Sequence, residues 1–332
     1  MMLAPKDDHE VLLMKRAASI SSEILTKYLK AKVIEIIDGE KKIRHSKLAE
    51  GIENALTERK FLCGADPANV DICYPAIIQS GGQYVFEFSC LSNKDYLSYD
   101  CIVCCLGIRY RNYCSNIIRT LMVDPSDQLQ QTYDFLVELQ EFLIDKLRPG
   151  IRLCDLYDAG IQKCKEEKPD LVPKLTKQFG FVIGLEFRET QITVSPKCLM
   201  TVRKGMTFAL SIGLSDLKDK DKDVALYIGD TVLVQEVSLM TFALSIGLSD
   251  LKDKDKDVAL YIGDTVLVQE DKAAVVFTSA KKRLRSNAVF LKTEGEEEEA
   301  EGEEEDKEED QAPEILSRGE RAGRAVLTSK LR

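Results

Sequence analysis

The sequence predicts an α+β domain followed by a disordered acidic tail, and three observations lead to this prediction. Apolar residues recur at helical spacing through residues 10–33 and again through residues 126–167. Short apolar segments bounded by turn residues dominate elsewhere, most clearly in residues 206–234. Residues 294–310 are almost entirely acidic. Helices and antiparallel strands that occur in separate runs are typical of the α+β class.

Four helices are predicted from an apolar stripe of helical period and from the residues that flank it. In the first, Leu12, Leu13 and Ala17 begin the stripe. The second has Ser46 near its N-cap, where a hydroxyl accepts a hydrogen bond from a first-turn amide. The last two end before prolines, which cannot continue a helix. The predicted helices are residues 10–33, 46–58, 126–147 and 153–167.

Six strands are predicted from short apolar runs that lie between turn signals. Asp-Pro, Ser-Gly and Gly-Gly pairs mark loops in the segment from residue 63 to residue 88. Residues 100–106 lie in the run YDCIVCCLGI, whose apolar character is typical of a buried strand. The predicted strands are residues 84–89, 100–106, 117–123, 182–187, 191–195 and 206–212.

The chain also contains an internal repeat without a single substitution. Residues 206–236 and 240–270 both read MTFALSIGLSDLKDKDKDVALYIGDTVLVQE, and Val237, Ser238 and Leu239 join them. Each copy is a predicted hairpin, in which a charged loop separates two apolar strands. Structural arrays need three or more copies, so this pair indicates a recent duplication or an incorrect gene model. The sequence leaves open which copy, or which strand of each, joins the sheet.

The acidic residues are concentrated in one block. Residues 294–310 carry 13 acidic residues and one lysine, and the rest of the chain is close to neutral. Such a block repels itself and cannot bury apolar surface, so we expect it to be disordered. A nearly neutral body does not favour direct DNA binding. We predict a disordered start at residues 1–8, one domain at residues 9–285, and an acidic linker with a short basic end at residues 286–332.

Composition also argues against a membrane protein and against a zinc site. The chain has no run of 18 apolar residues and no apolar signal core near its start, so we expect no transmembrane helix. Ten cysteines without a secretory signal indicate a reducing compartment. Cys101, Cys104 and Cys105 form a CxxCC cluster, with Cys114 nearby. Because this cluster lies in an apolar run, we interpret its thiols as buried packing groups.

Four motifs, in this order, carry a family resemblance. They are IVCCLGIRYRNYCSNIIRT (residues 102–120), GFVIGLEFRE (180–189), GMTFALSIGL (205–214) and YIGDTVLV (227–234). They resemble the catalytic half of the pita-bread family, which includes aminopeptidase P, methionine aminopeptidase, creatinase and prolidase. The resemblance implies the pita-bread fold. In the metalloenzymes of that family, two Asp, one His and two Glu hold two divalent metals.

None of these ligand positions keeps a carboxylate or an imidazole in this chain. Two further positions, where the enzymes have a substrate-handling histidine, fall on Phe88 and Arg188. The chain has only two histidines, His9 and His45, and both precede the motifs. We therefore expect no metal, no other cofactor and no enzymatic activity. In the order Asp, Asp, His, Glu, Glu, the ligand positions fall on Cys105, Asn116, Phe181, Ser211 and Gly229.

A narrower resemblance covers most of the chain. The segments LMKRAASISSEI, KIRHSKLAE, GADPANVDICYPAIIQSGG, YCSNIIRTLMVDPS, GLEFRE and IGDTVLVQED look like the large subunit of the FACT histone chaperone. The acidic block and the following LSRGERAGRAVLTSKLR resemble the linker to that subunit's next domain. Further family domains, before and after this region, are not in the sequence, so we expect a form shortened at both ends.

The resemblance implies a non-catalytic histone-binding subunit that supports nucleosome reorganisation in transcription elongation, replication and repair. It implies a location in the nucleus, on the chromosome. The implied partners are core histones, as the outer dimer, the central tetramer or both. The family's HMG-box partner binds through a domain that this sequence lacks. We expect no direct contact with DNA and none with a membrane.

Two candidate sites follow. The first is a peptide cleft formed by Phe88, Asn116, Phe181, Arg188, Ser211 and Gly229, since extended peptides bind through backbone pairing and side-chain pockets without a metal. Alternatively, these residues only fill the space of lost ions. The second is the acidic block, which would attract basic histones or serve as a solvated linker. Its candidate residues are Glu296, Glu297, Glu298, Glu299, Glu301, Glu303, Glu304, Glu305, Asp306, Glu308, Glu309 and Asp310.

Two other interpretations remain open from the sequence. In the first interpretation, which the repeat suggests, the chain is a degenerate or misassembled fragment without independent function. Less favoured is a residual metal-dependent Xaa-Pro aminopeptidase, because its ligands are missing. Cys105 is a conceivable nucleophile at the centre of the old site, but no motif supplies a histidine to activate it.

Overall fold

The computed structural model describes residues 5–189, 192–235, 239–253, 256–269, 274–277, 279–281, 286 and 288–289. Residues 1–291 form one compact unit. The predicted acidic block, residues 294–310, lies outside the described residues. Within the described part of the chain, no helix is both long enough and apolar enough to cross a membrane.

The N-terminal helices form the layer that covers one face of the sheet. Helix α1 (Asp8–Glu23) begins with a capping box, in which Asp7 and Glu10 exchange side-chain to backbone hydrogen bonds of 2.8 Å. It continues through a seven-residue π-helix (Ile24–Lys30) into α2 (Ala31–Asp38). The helix predicted for residues 10–33 is therefore present, and it is longer at both ends.

Residues 5–8 differ from the disordered start that the sequence predicts. Pro5 forms a bridge with Met206, and the Lys6 amide donates to the Gly205 carbonyl at 2.7 Å. The Lys6 ammonium forms a buried ion pair with Glu189 at 2.7 Å. These bonds fix the segment before α1 against the sheet, so that it belongs to the folded domain.

Helix α3 (His45–Ala55) confirms the second predicted helix, but its N-cap is Arg44. Ser46 therefore lies near the N-cap, as predicted, but within the first turn and not at the capping position itself. Carbonyl groups cap this helix in place of a side chain: the His45 amide donates to the Asp95 carbonyl at 3.0 Å. The Ser46 amide donates to the Asn93 carbonyl at 2.9 Å. A distant loop thus supplies the acceptors that a serine hydroxyl often provides.

The two helices of the opposite layer lie where the sequence predicts them. They are α4 (Asp127–Lys146) and α5 (Leu153–Glu167). Ser126 caps α4, and its hydroxyl accepts from the Leu129 amide at 3.3 Å. Leu136, Leu143 and other buried residues of α4 share one cluster with the sheet. The sheet is therefore covered on both faces, as its strands require.

The main sheet contains eight strands among the described residues, in the order β1-β2-β3-β6-β5-β4, with β10 beside β3 and β9 beside β6. The pairs along this order are antiparallel, and β10 runs parallel to β3. This arrangement confirms the predicted α+β class. The strands are β1 (Val70–Gln79), β2 (Cys101–Tyr110), β3 (Tyr113–Val123), β4 (Gly180–Val182), β5 (Thr207–Asp219), β6 (Lys222–Val234), β9 (Ala274–Val276) and β10 (Ala288–Val289).

The repeat is divided between two sheets. The first copy supplies β5 and β6 to the centre of the main sheet. The second copy forms β7 (Leu239–Asp253) and β8 (Lys256–Gln269), which pair with each other in a separate two-stranded sheet. The hairpins predicted for both copies are therefore present, and it is the first copy that joins the main sheet.

Three predicted strands were wrong in whole or in large part. Residues 84–89 form a loop, because the Gln79 side chain takes both backbone groups of Val85, at 3.0 and 3.2 Å. In the segment 182–187, only Val182 belongs to a strand, and the Leu185 amide bonds to the Glu189 carboxylate at 2.9 Å. In the segment 191–195, the described residues contribute only an isolated bridge. Side chains thus satisfy backbone groups that a sheet would otherwise pair.

Candidate functional site

The five positions that the resemblance assigns to metal ligands lie on five neighbouring strands. Cys105 is on β2, Asn116 on β3, Phe181 on β4, Ser211 on β5 and Gly229 on β6. The fold therefore gathers these positions at the centre of the sheet, as the sequence motifs imply.

The register shows how closely three of the five positions lie. Ile118 is the register partner of both Cys105 and Gly229, and Gly229 is also opposite Ser211. These four residues therefore form one row across β2, β3, β6 and β5. A Cβ atom built on Gly229 would lie 2.9 Å from Ile118 Cδ1 and 2.9 Å from Ser211 Cβ. The site thus has no space for a larger side chain at position 229.

Two buried tyrosines form hydrogen bonds with Asn116 and Ser211, the polar residues among the five positions. The Tyr74 hydroxyl donates to Asn116 Oδ1 at 2.6 Å. The Tyr227 hydroxyl donates to Ser211 Oγ at 3.1 Å. Both tyrosines are buried in one cluster with Cys105. These hydrogen bonds use the oxygen atoms that would be the best remaining metal donors.

Four aromatic rings close the space above these residues, and we call them the aromatic plug: Tyr74, Phe88, Phe181 and Phe187. The ring centroids of Tyr74 and Phe187 are 4.7 Å apart, and those of Phe88 and Phe181 are 5.5 Å apart. Phe187 contacts both Phe88 and Phe181, at 5.1 and 5.2 Å. Tilted and edge-to-face pairs at these distances are favourable beyond simple burial of apolar area.

A charged residue covers the outer side of the plug. The Arg188 guanidinium lies 5.2 Å from the Phe181 ring centroid, and Arg188 itself is exposed. Phe88 and Phe187 are partly exposed beside it. Leu185 is exposed to 45% and Val85 to 49%. The plug therefore presents an apolar surface with one cation on it.

The predicted cleft residues divide into two groups. Phe88 and Arg188 reach the surface and contact Phe181, whereas Asn116, Ser211 and Gly229 are buried below. The sequence interpretation missed both buried tyrosines, and it also missed Phe187. The alternation of aromatic residues in QYVFEF is a signal for this region, since Tyr84, Phe86 and Phe88 all contact the cluster around Cys105, but it includes none of the three missed residues.

The residues at these positions do not fit the pair of metals that the pita-bread enzymes hold. Phe181 and Gly229 offer no donor atom, and the oxygens of Asn116 and Ser211 are already bonded to tyrosines. Burial raises the pKa of the Cys105 thiol well above its usual value, which disfavours the thiolate that binds metals. Across the described residues, no three His, Cys, Asp or Glu side chains are grouped to hold a metal ion.

Divalent metals are therefore expected to leave the thermal stability of the protein unchanged. A bound ion would stabilise the folded state by an amount that grows with its concentration above Kd. The melting temperature should move by less than about 1 °C on adding Mn²⁺, Co²⁺ or Zn²⁺ at a hundredfold molar excess, because the described part of the folded domain offers no group of metal donors. Differential scanning calorimetry measures this directly. A saturable rise of several degrees would contradict the assignment.

All ten cysteines are free, and those of the CxxCC cluster are buried in β2. This placement confirms that Cys101, Cys104 and Cys105 are packing groups. Burial raises the pKa of the Cys104 thiol to about 12, and it raises the pKa values of Tyr74 and Tyr227 as well. These groups are therefore held in their neutral forms within the core.

The buried thiols predict a loss of stability at alkaline pH. A thiol with a raised pKa stays protonated in the folded state while the unfolded thiol ionises near pH 8.5. Its contribution is complete below that pH and is lost as pH rises towards about 12, the pKa of Cys104. Each such group should remove up to about 1.4 kcal/mol per pH unit. Urea unfolding between pH 8 and 11 under reducing conditions tests this, and Cys104→Ala should reduce the slope. A flat profile would contradict it.

These features define a pita-bread domain with a packed aromatic cluster among its central strands, and comparisons with known proteins agree on the fold. The profile of metallopeptidase family M24 matches residues 12–236. The chain therefore belongs to this family. Solved structures of enzymes with this fold include the X-Pro aminopeptidase from Thermotoga maritima, with a TM-score of 0.60 at 18% identity, over 87% of this chain and 65% of that one. At that identity, the likeness concerns the fold alone.

The more specific similarity is to a subunit of the FACT complex. FACT complex subunit SPT16 of Zea mays is 36% identical over 244 residues, which are 71% of this chain and 23% of that protein. FACT complex subunit spt-16 of Caenorhabditis elegans is 32% identical over 339 residues, which cover 100% of this chain and 29% of that protein. The chain thus spans about a quarter of the length of these relatives.

A solved structure supports the same relationship. The N-terminal domain of FACT complex subunit SPT16 from Cicer arietinum matches with a TM-score of 0.72 and 34% identity, over 86% of this chain and 62% of that chain. The resemblance that the sequence motifs predict, to the large FACT subunit and to the pita-bread fold, is confirmed by these matches.

Proposed function

We propose that this chain is a non-catalytic histone-binding subunit of a FACT-like chromatin complex. In this role it supports nucleosome reorganisation during transcription elongation, replication and repair, in the nucleus and on the chromosome. The observation that supports the proposal is the aromatic plug, which packs against the positions that the resemblance assigns to metal ligands, in a chain similar to FACT subunits. A scaffold that keeps its fold without metal donors is suited to binding and not to hydrolysis.

The surface of the plug supports a contact with a basic, extended peptide. The partly exposed rings of Phe88 and Phe187 can receive a lysine or arginine cation on their faces. Their sequence neighbours Glu87 and Glu186 are exposed carboxylates, which suit the same cations. Histone tails have this chemistry. The buried cleft residues then act only as the support below the surface.

Arg188 tests this peptide surface without endangering the fold, because its side chain is exposed. Arg188 repels a basic peptide, so Arg188→Ala should strengthen binding of a histone-tail peptide, whereas Phe88→Ala should weaken it by about three- to tenfold through loss of cation–π contact. Arg152→Ala, an exposed arginine on another part of the domain, is the matched control. Fluorescence anisotropy measures all three affinities. Equal affinities for all variants would mean that the rings only fill space.

The acidic block is the second proposed contact. Its 13 acidic residues within residues 294–310 would attract basic histone surfaces through a field that salt screens within about 8 Å at physiological ionic strength. Core histones are the proposed partners, as the outer dimer, the central tetramer or both. An HMG-box FACT subunit is a further proposed member of the same complex. We assign it no binding surface on this chain. We propose that the chain makes no direct contact with DNA or with membranes.

A histone titration tests the proposed function and locates it. Labelled outer dimer and central tetramer are titrated with the full chain and with a full-length variant whose 13 acidic residues are replaced by glutamine or asparagine, at low and near-physiological salt. Binding that the neutralised variant loses would place the contact in the acidic block. Binding that it keeps would place the contact on the folded domain. No binding by either protein would overturn the proposal and favour a fragment without independent function.

A further inference from the structure

The two copies of the repeat have the same backbone pairing. In the first copy, Thr207 is opposite Leu233, and in the second, Thr241 is opposite Leu267. The register shift between Leu214 and Leu217 recurs between Leu248 and Leu251. The second copy therefore forms the hairpin that the main sheet accepts from the first, with the same sequence, register and irregularity.

The place of the first copy in the sheet makes strong demands on its occupant. Strand β5 pairs with β4, and β6 pairs with β3 and β9. Most residues of both strands are buried, so that both faces are covered. Within the two strands, these demands concern sequence and register, and the second copy has the same sequence and the same register. The two copies differ only in the chain segments that lead into and out of them.

The chain after the repeat favours the second copy. Ala274 of β9 pairs with Val234 of β6, although the whole second copy lies between them in the sequence. If the second copy were in the sheet, only five residues would separate Val268 from Ala274. A loop of this length is common between paired antiparallel strands. The extra residues then lie before the docked hairpin instead of after it, so the second copy gains a short exit and loses the short entry.

The chain before the repeat favours the first copy. Gly205, which precedes it, has a φ of +81°, and its amide donates to the Val234 carbonyl at 2.9 Å. A Cβ atom at this position would lie 2.9 Å from the Lys6 carbonyl oxygen. The residue at the corresponding position before the second copy is Leu239. Leucine adopts this conformation only with strain, so the second copy has the poorer start.

From these opposed preferences we propose that the two hairpins are alternative occupants of one place in the sheet. The first copy fills it, and the second takes the place when the first is excluded. The chain then has two folds that differ little in free energy, with the unused copy as a spare hairpin. This proposal is independent of any histone contact.

Matched glycine substitutions test the exchange. Gly229→Val places a side chain against Ile118 and Ser211 in the docked copy, and Gly263→Val is the same change in the second copy. A reference protein that lacks residues 237–270 contains a single copy. We expect Gly229→Val to lower the melting temperature by on the order of 10 °C in the single-copy protein, from overpacking in the core. In the full chain it should lower it by less than about 3 °C, because the second copy replaces the first.

The control variants show whether the second copy restores the stability of the Gly229→Val protein or whether the core tolerates valine at position 229. Gly263→Val alone should leave the full chain unchanged, and the double variant should be as unstable as the single-copy Gly229→Val protein. Adding Leu239→Gly to Gly229→Val should raise the melting temperature further, because it removes strain at the start of the second copy. If the double variant does not fold, circular dichroism detects its loss of secondary structure, and folded Gly229→Val protein beside it still supports the exchange. Equal instability of Gly229→Val and the double variant would overturn the proposal, as would rescue that occurs only in dimers on size-exclusion chromatography.

Discussion

Replacing Arg119 by methionine is expected to lower the free energy of unfolding by about 3–5 kcal/mol. The Arg119 side chain is 1% exposed and that of its partner Asp230 is fully buried, with 2.7 Å between Nη2 and Oδ1. Replacing Arg119 removes the guanidinium that lies against the buried Asp230 carboxylate. The loss of this buried charge pairing accounts for most of the expected destabilisation.

Arg119 also joins segments that are distant in the sequence. Its guanidinium donates to the carbonyl oxygens of Gly229 at 2.9 Å and of Ala280 at 2.7 Å. The substitution therefore also removes this donor from two carbonyl groups, one of which belongs to Gly229 on β6. Loss of these bonds adds to the effect of the broken ion pair.

An exposed ion pair provides the control for this prediction. Arg152 and Asp155 are also 2.7 Å apart, but their side chains are 55% and 44% exposed. Arg152→Met should therefore cost less than about 1 kcal/mol. Urea unfolding at pH 7 measures both variants. Similar losses for Arg119→Met and Arg152→Met would show that burial of the Arg119 pair has no special importance.

Phe181→Ala is expected to cost about 3–5 kcal/mol, because it opens a cavity in the aromatic plug. Phe181 is 1% exposed and contacts the rings of Phe88 and Phe187. It also supports the Arg188 guanidinium on its face. The substitution removes these contacts together, and the surrounding β-strands limit how far the site can collapse.

The matched control for Phe181→Ala is an apolar residue at the surface. Leu12 is 63% exposed on α1, so Leu12→Ala should change the free energy of unfolding by less than about 0.5 kcal/mol. Guanidinium unfolding compares the two. A change of less than about 0.5 kcal/mol in the free energy of unfolding for Phe181→Ala would show that the plug is loosely packed and that the site is an open cleft.

Local patterns were sufficient to predict the helices. The apolar stripe and Ser126 located α4 to within one residue at each end, since capping and helical spacing are properties of neighbouring residues. The capping of α3 could not be predicted in this way. Its amides bond to carbonyl groups of residues 93 and 95, about fifty positions further along the chain.

The strands were harder to predict where side chains replace sheet partners. The segment around Val85 has the composition of a strand, but Gln79 takes its backbone groups. The five positions that the resemblance assigns to metal ligands do lie on adjacent strands. The order of the motifs could not reveal that Tyr74 would bond to Asn116, 42 residues away in the sequence. The plug depends on such long-range contacts, which no local pattern contains.

Central to the proposed function is a pita-bread scaffold that serves binding and not hydrolysis. The most direct test is native mass spectrometry of the full chain with core histone dimers and tetramers, in the presence of Mn²⁺. We predict complexes whose masses equal the sum of the chain and the intact histones. Histones that lose N-terminal residues, or the absence of any complex at near-physiological salt, would contradict the account.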